Sequence, residues 1–263
     1  MELKDKLLSS YVAFENRIDT KSDVHDIRSE AFQNFEALGF PTKKLEAWKY
    51  TSLKTVLKQD YSIFPNKENN VEFSDVKKYF IHDIDAYKLV FVDGKYNSFL
   101  SETTHGDFDV CLMSAALNKQ KYKAVIENYF NKIAKQDNLT SLNTAFTEEG
   151  AYIYIPKNVE VKKPIQIINF TTGSEAATML QPRNLIVVEE NSQVQIIERH
   201  QSLTNNPVLT NAVTEIYADK RAFVDYYKIQ NDKTNASLVD NTFIEQQSNS
   251  VVSVHTFSFG GNI

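Results

Sequence analysis

The 263-residue sequence has little cysteine, glycine or tryptophan, and it has no long apolar run. Its one cysteine, Cys111, has no partner for an internal disulfide, which also excludes a multi-cysteine zinc or cluster site within this chain. No stretch approaches the roughly 18 consecutive apolar residues of a membrane span. The charged start, Met1 to Asp5, lacks the apolar segment of a signal peptide. These absences predict a soluble, cytoplasmic protein.

The net charge and the absence of common motifs exclude several classes of partner and of enzyme. The formal net charge is -5 and the two signs are interspersed, so neither nucleic acid nor an anionic membrane is an expected partner. The sequence contains no GxGxxG, no GxxxxGK[ST] and no GxSxG, which are the motifs of dinucleotide binding, ATP hydrolysis and acyl transfer. Cys111 has apolar neighbours, Val110 and Leu112, so we expect a buried and unreactive thiol.

The first 147 residues have the pattern of a helical and α+β domain. Apolar residues from Leu3 to Ile18 recur every three or four positions, which predicts an amphipathic helix. A second helix, capped by Ser22 or Asp23, is expected to end at Gly39. Further along, Asp93-Gly94 predicts a hairpin turn after a strand over 87–92.

From residue 148 to 263 the pattern changes to pairs of strand-length segments rich in Val, Ile, Tyr, Phe and Thr. Polar turns at Glu190–Gln193, Ala218–Arg221 and Gln246–Asn249 recur at roughly 27 to 29 residues, a spacing typical of stacked repeats. Because glycine is scarce here, the turns are expected to use Asn, Asp or Ser in left-handed backbone conformations. This pattern predicts the first part of a β-solenoid, and an antiparallel sandwich is the alternative. The predicted strands are Tyr152–Ile155, Ile165–Phe170, Leu185–Glu189, Val194–Glu198, Val213–Tyr217, Phe223–Ile229, Leu238–Ile244 and Val251–Phe259.

The five histidines form no HxH, HxxxH or HExxH pattern, so no metal site is expected from local sequence. His25, within a predicted helix, is expected to be solvated, and His82 and His105 lie in loop-like segments. His200 and His255 lie on predicted strands, where a ladder of side chains can face a partner. We therefore consider these two as interface candidates, with a hydrogen-bonded strand histidine as the alternative.

Four carboxylates on predicted strands raise the alternative of an enzyme. Facing acids in a solenoid groove can catalyse glycosidic or lyase chemistry, and Glu215, Asp225, Asp240 and Glu245 are the candidates. Their neighbours differ from coil to coil, which favours a solvated strand face. A carbohydrate-active β-helix enzyme and a self-associating structural solenoid thus remain the two alternatives from other classes.

A resemblance to a known family emerges in the segment over 41–51, which holds the single tryptophan. We expect Trp48, which is flanked by residues that can form ion pairs, to pack as an aromatic anchor between the helical segment and the rest of the chain. The segment resembles the start of SufD, a subunit of the SUF iron-sulfur cluster assembly machinery, and 152–159, 183–192 and 196–198 resemble the SufB/SufD core. The poverty of cysteine favours the SufD branch of the family over SufB. The residues that carry the N-terminal motif are Pro41, Glu46, Trp48, Lys49, Tyr50 and Thr51.

The resemblance implies a right-handed parallel β-helix core and a non-catalytic scaffold that supports cluster assembly and iron supply. It implies a heterodimer with a SufB-like paralogue through the β-helix, and a SufC-like ATPase attached through a C-terminal helical domain. In this family, ATP-driven dimerisation of SufC is expected to strain the SufB–SufD pair and open the site where the cluster is built. Later coils and the helical domain are expected beyond Ile263, so the sequence resembles a truncated SufD. No catalytic, metal or cofactor residue carries over to this chain; the cluster is handled by the complex, with which a reduced flavin is also connected.

Overall fold

The computed structural model describes residues 2–17, 24–65, 71–81, 84–105, 107–173 and 176–262. The predicted cap at Ser22 or Asp23 and the loop residue His82 lie outside these ranges. Within them, two β-sheets face each other across an apolar core. A helical unit, made of the helices Leu3–Glu15, His25–Leu38 and Asn138–Phe146 with the segment over 40–64, packs against one of the sheets.

The N-terminal helices follow the predicted apolar periodicity. In the first helix, Leu3, Leu7, Tyr11 and Phe14 are buried on one stripe, and the helix is described to Glu15. The second ends at Gly39, whose φ of 63° is a left-handed conformation that glycine adopts without a Cβ clash. The helices are α1 (Leu3–Glu15), α2 (His25–Leu38), α3 (Phe73–Val76), α4 (Met113–Leu117), α5 (Lys123–Tyr129) and α6 (Asn138–Phe146). Short 3-10 turns cover Glu46–Trp48, Val56–Lys58, Lys77–Tyr79 and Gln120–Tyr122.

Thirteen strands lie in the described part of the chain, and all eight strands predicted after Gly150 are present. The expected hairpin at Asp93-Gly94 joins β1 to β2, and both turn residues have positive φ. The strands are β1 (Tyr87–Val92), β2 (Lys95–Tyr96), β3 (Thr104–His105), β4 (Asp109–Leu112), β5 (Ala151–Ile155), β6 (Ile165–Thr171), β7 (Thr178–Leu180), β8 (Arg183–Val188), β9 (Gln193–Ser202), β10 (Val208–Ala218), β11 (Phe223–Gln230), β12 (Ala236–Gln246) and β13 (Val251–Ser258).

Apart from the short β7, which pairs with β10, consecutive strands of the C-terminal half alternate between the two sheets. The first sheet has the order β13-β11-β9-β6-β1-β2, and the second has the order β12-β10-β8-β5-β4-β3. From β5 onward, every neighbouring pair within a sheet is parallel. Each coil therefore contributes one strand to each sheet, and about four coils stack into a solenoid. This topology confirms the predicted β-solenoid and excludes the antiparallel sandwich for these strands.

The coils shorten along the solenoid. Tyr152 pairs with Leu185, an offset of 33 residues, whereas β8 and β10 pair at an offset of 30 and β10 and β12 at 28. The sequence period of roughly 27 to 29 residues thus describes only the last coils. The longer early coil contains β7, which was not predicted and which pairs with the start of β10.

The turns between the sheets repeat one backbone conformation. Asn158, Asn191, Arg221 and Asn249 occupy the corresponding turn of successive coils, all with φ between 56° and 62°. The Asn191 amide donates to the Asn158 side-chain oxygen at 3.0 Å, and Arg221 Nε donates to Asn191 Oδ1 at 2.6 Å. Asparagine is favoured here because its short polar side chain tolerates the left-handed region. The sequence predicted Asn, Asp or Ser at these left-handed positions; three of the four are Asn, and Arg221 is the exception.

We expect the substitution Asn191→Ala to lower the free energy of unfolding by about 1 kcal/mol, because alanine in a left-handed turn is strained and the side-chain ladder is lost. Asn191→Gly should stay within about 0.5 kcal/mol of the parent, since glycine adopts this conformation freely. Urea denaturation of the two variants measures the difference. Equal stability of the alanine and glycine variants would contradict the strained turn.

The helical unit is joined to the solenoid by packing and by strand pairing. Its apolar cluster includes Leu7, Phe35 and Phe146 together with Met179 and Leu209 from the solenoid strands. In addition, β1 pairs with β6 and β4 pairs with β5, so strands from the first 147 residues extend both sheets. The predicted domain limit at 147/148 falls between α6 and β5 and stays a prediction.

Strands β12 and β13 are the edge strands at the other end of the two sheets. The exposed apolar side chains there include Val251, Val254 and Phe257. Strand edges can template association, and the self-associating solenoid that the sequence leaves as an alternative stays a prediction.

Candidate functional site in the solenoid interior

A polar network lies between the two sheets, where apolar side chains form the core of the other levels. Val194 and Ile196 of β9 point inward, and because side chains alternate along a strand, Glu198 and His200 point inward as well. Glu198 is 1% exposed and His200 is 6% exposed. A charged group at this depth is costly unless its hydrogen-bonding capacity is satisfied.

Its own coil and the next one supply partners for the Glu198 carboxylate. Asn184 Nδ2 donates to Glu198 Oε1 at 3.0 Å, and His200 Nε2 lies 3.1 Å from the same oxygen. The Tyr226 hydroxyl donates to the other oxygen, Oε2. The carboxylate is thus held by three side chains from β8, β9 and β11, which links two successive coils through one group.

A second ion pair continues the network toward the last described coil. Lys228 pairs with Asp240, and its ammonium also donates to Thr242 Oγ1 at 2.6 Å. Burial raises the pKa of the Asp240 carboxyl, against the opposing charge of Lys228. The Lys228 ammonium also lies 5.5 Å from the centroid of the Tyr226 ring, so the two halves of the network are in contact.

The network borders a cavity of about 220 Å³ between the sheets. Two polar atoms of its lining, His200 Nδ1 and Asp240 Oδ1, are buried and have no hydrogen-bond partner within the described ranges. A cavity of this size accommodates several water molecules, which can satisfy such atoms. Its lining residues are Glu198, His200, Lys228, Ile229, Gln230, Leu238, Asp240 and Thr256.

The pKa of Glu198 gives the network a pH dependence. Burial by itself raises this pKa, but the hydrogen bond and charge of His200, with Lys228 and Tyr226, outweigh burial and lower the pKa to about 2. A carboxyl whose pKa is lowered on folding stabilises the fold above its unfolded pKa, near 4.5, and loses that contribution as the pH falls toward 2.

We therefore expect the stability advantage of the parent chain over Glu198→Gln to be complete at pH 7 and to shrink between pH 4.5 and 2, because the glutamine cannot titrate. Urea denaturation of both chains at pH 7, 4 and 3 measures this difference. A difference that is constant over this interval would show that Glu198 is not held as a carboxylate.

A second buried network fastens the helical unit to the outer face of the second sheet. Arg183 of β8 and Glu215 of β10 are both fully buried and form an ion pair at 2.7 Å. Arg183 also donates to Thr144 Oγ1 at 2.9 Å, while Glu215 accepts backbone N–H groups of Asn131, at 2.9 Å, and Ala134, at 2.9 Å. Side chains of the solenoid thus satisfy the polar groups of the chain around α6.

The sequence-predicted residues do not come together in one place. His200 lies inside the solenoid rather than on a partner-facing ladder, because it shares the inward parity of Val194 and Ile196. His255 is exposed and stacks on the Tyr227 ring with centroids 4.9 Å apart. The two interface candidates therefore lie on opposite faces of their sheet, and only His255 is accessible to a partner.

The N-terminal motif lies on the surface of the helical unit. Trp48 is half-buried and packs against the apolar cluster of the helices, and Pro41 is buried. The remaining motif residues, Glu46, Lys49, Tyr50 and Thr51, are exposed, and Lys49 pairs with Glu46 at 3.9 Å. Their role in the family stays a prediction.

The four carboxylates considered for catalysis do not share a groove. Glu215 is buried beneath the helical unit, Asp240 lies in the interior, and Asp225 and Glu245 are on the outer faces of different sheets. In the part of the chain that the structure describes, no group of three His, Cys, Asp or Glu side chains can hold a metal ion. Cys111 is buried as expected, and burial is the main reason that its pKa is raised to about 11.

Neither of the two buried polar networks was predicted from the sequence, although the sequence contains a pattern that points to each. Glu198 and His200 continue the parity of Val194 and Ile196, so their inward direction follows from the alternation of the strand. Arg183 and Glu215 are charged residues beside apolar strand segments, which is unusual for a strand covered on both faces. Their partners, however, lie on other strands and helices and follow only from the tertiary arrangement.

The fold and the two networks define a parallel β-solenoid protein with a helical N-terminal unit anchored on its side. A profile described as the SufBD protein N-terminal region matches residues 1–167, and one described as SUF system FeS cluster assembly, SufBD core domain, matches residues 170–263. The chain belongs to the SufBD family, and the resemblance seen in the sequence is confirmed. Among the described residues, no helix is both long and apolar enough to cross a membrane.

Curated relatives agree with this assignment. An iron-sulfur cluster assembly SufBD family protein of Synechocystis sp. is 27% identical over 219 residues, which cover 80% of this chain and 48% of the relative. The iron-sulfur cluster assembly protein SufD of Bacillus subtilis is 30% identical over 116 residues, covering 43% and 26%. The chloroplastic protein ABCI7 of Arabidopsis thaliana is 22% identical over 250 residues, covering 90% and 50%. The chain spans half or less of the length of these relatives.

Proposed function

We propose that this chain is part of a non-catalytic scaffold subunit in an iron-sulfur cluster assembly complex of the SufB–SufC–SufD type. The observation that carries the proposal is the stack of parallel coils in the segment that matches the SufBD core domain. Coils that bury their apolar faces on each other form an extended rigid body. Such a body suits a subunit that positions partners, with the cluster as the cargo of the complex.

The anchoring of the helical unit supports a mechanical role. Arg183 and Glu215 fix the segment around α6 to the sheet through buried hydrogen bonds, and a shared apolar cluster adds Met179 and Leu209. The helical unit and the coils therefore move as one body. In the proposed complex this body pairs with a SufB-like paralogue and transmits the strain generated by a SufC-like ATPase, in the cytoplasm.

Dispersal of the candidate carboxylates favours the scaffold over a carbohydrate-active enzyme. An acid and a base or nucleophile must flank the same glycosidic bond, roughly 5 to 9.5 Å apart. Asp225 and Glu245 lie on the outer faces of different sheets, and Asp240 is paired with Lys228 in the interior. These three groups cannot act on one substrate in the described arrangement.

Co-purification from the source cells tests the proposal. An affinity tag placed before Met1 in the chromosomal gene is expected to recover a SufB-type and a SufC-type subunit in comparable amounts. A matched strain with the tag on an unrelated cytoplasmic protein controls for adhesion. Recovery of the tagged protein only as a homo-oligomer, without either subunit, would contradict the scaffold and favour a self-associating solenoid.

A further inference from the structure

The surface of the helical unit carries a groove between α1 and the segment over 54–60. The groove has a volume of about 630 Å³. Beside it lies the N-terminal motif segment, whose residues 42–52 are exposed apart from the half-buried Trp48. The Tyr50 side chain is 89% exposed and Leu45 is 43% exposed. Packing within this chain therefore does not account for the apolar groups of this surface.

The groove combines an apolar floor with a cationic rim. Leu3, Phe40 and Leu57 belong to the apolar cluster of the helices and also line the groove. Four lysines line it together with two acids, in a chain whose formal net charge is -5. The groove is thus locally positive on a protein that is acidic as a whole. The charged lining residues are Glu2, Lys4, Lys6, Lys54, Lys58 and Asp60.

Two of the four lysines are engaged within the chain and two are available. Lys4 Nζ donates to the Glu36 carbonyl at 2.8 Å, and Lys6 pairs with Asp60 at 2.6 Å. Lys54 and Lys58 have no ion pair or side-chain hydrogen bond in the described part of the chain, and they lie four residues apart on the same side of the groove.

We propose that this groove binds an acidic amphipathic segment of a partner protein. An apolar face of the segment packs on Leu3, Phe40 and Leu57, and its carboxylates pair with Lys54 and Lys58. This is the groove form of helix recognition, in which apolar anchors supply contact area and charges at the rim set orientation and selectivity. A nucleic acid fits less well, because Glu2 and Asp60 interrupt the cationic track that a phosphate backbone requires. The proposal does not depend on the scaffold function.

Fluorescence anisotropy of the 263-residue chain with a labelled synthetic helix tests the proposal. The probe carries leucine on one face and glutamate on the other, and a second probe has lysine in place of every glutamate. The acidic probe is expected to bind, and Lys54→Glu/Lys58→Glu is expected to weaken it about tenfold or more, since two attractions become repulsions. The control Lys132→Glu/Lys220→Glu makes the same charge change at exposed positions outside the groove and should stay within about twofold.

Contact is located independently by zero-length carbodiimide coupling, which joins carboxylates to amines that they touch. Mass spectrometry is expected to find the acidic probe on Lys54 or Lys58. Failure of the acidic probe to bind, equal binding of the lysine probe, or equal weakening by the two double variants would each overturn the proposal. Tighter binding of an oligo-dT strand than of the acidic probe would also overturn it, since it would identify the groove as a polyanion site.

Discussion

Replacing Arg183 by methionine is expected to lower the free energy of unfolding by about 3 to 5 kcal/mol. Arg183 and Glu215 are both fully buried, so removal of the guanidinium leaves a carboxylate without its counter-charge. It also removes the donor to Thr144 Oγ1 and one donor to Asn143. Urea denaturation followed by far-ultraviolet circular dichroism measures the loss.

The exposed pair Arg221 and Glu190 offers a matched control. Arg221 is 52% exposed in its side chain, and Arg221→Met should cost no more than about 1 kcal/mol. The double variant Arg183→Met/Glu215→Gln should regain part of the loss, because the amide is neutral yet still accepts backbone N–H groups. A loss of less than about 1 kcal/mol for Arg183→Met would contradict the anchoring role.

Fluorescence of the single tryptophan can measure whether the helical unit unfolds together with the coils. Trp48 lies in the helical unit, so its fluorescence reports that unit, while hydrogen exchange of the β9 to β13 amides at increasing urea reports the strands. If Arg183 fastens the unit to the coils, the tryptophan transition of Arg183→Met should move to lower urea than the strand transition. Coincident transitions in the variant would show that the apolar cluster alone couples the two parts.

Replacing Glu198 by alanine should lower the free energy of unfolding by about 3 to 5 kcal/mol. The substitution removes the shared acceptor of Asn184, His200 and Tyr226 and leaves these three buried groups without it. Glu198→Gln keeps one acceptor oxygen and should cost about 1 to 2 kcal/mol at pH 7.

Glu160 is the matched control for Glu198, because its side chain is 57% exposed and pairs with the exposed Lys162. Glu160→Ala should change the free energy of unfolding by less than about 1 kcal/mol. Urea denaturation of the three variants at pH 7 gives the order of their free energies of unfolding. An equal cost for Glu198→Ala and Glu160→Ala would show that the interior network does not hold the coils together.

Local features of the fold could be predicted from the sequence because neighbouring residues determine them. The stripe of α1 follows from helical spacing, and the Asp93-Gly94 hairpin follows from turn chemistry. The solenoid followed from the recurrence of polar turns, two of which hold a left-handed Asn, at Asn191 and Asn249. The shortening of the coils was not predictable, because β7 lies in an irregular connection and its partner, β10, is almost thirty residues away.

The interior site required information that the sequence does not display. Glu198 finds Asn184 on the preceding strand and Tyr226 on the next coil, and these contacts exist only once the register is set. The same is true of His200. Its position on a strand suggested an interface, and its inward direction could be assigned only once the arrangement of both sheets was known.

The parallel stacking of coils is the central claim, and engineered disulfides test it most directly. Gln195 of β9 and Asp225 of β11 are Cα partners, and neighbouring strands about 4.8 Å apart fall within the range that a disulfide spans. In a Cys111→Ser background, Gln195→Cys/Asp225→Cys should oxidise to an intramolecular disulfide. Tyr217→Cys/Asp225→Cys should stay reduced, because these residues lie on different sheets. A disulfide in the second pair and none in the first would mean that β10 and β11 form an antiparallel hairpin, which would contradict the solenoid.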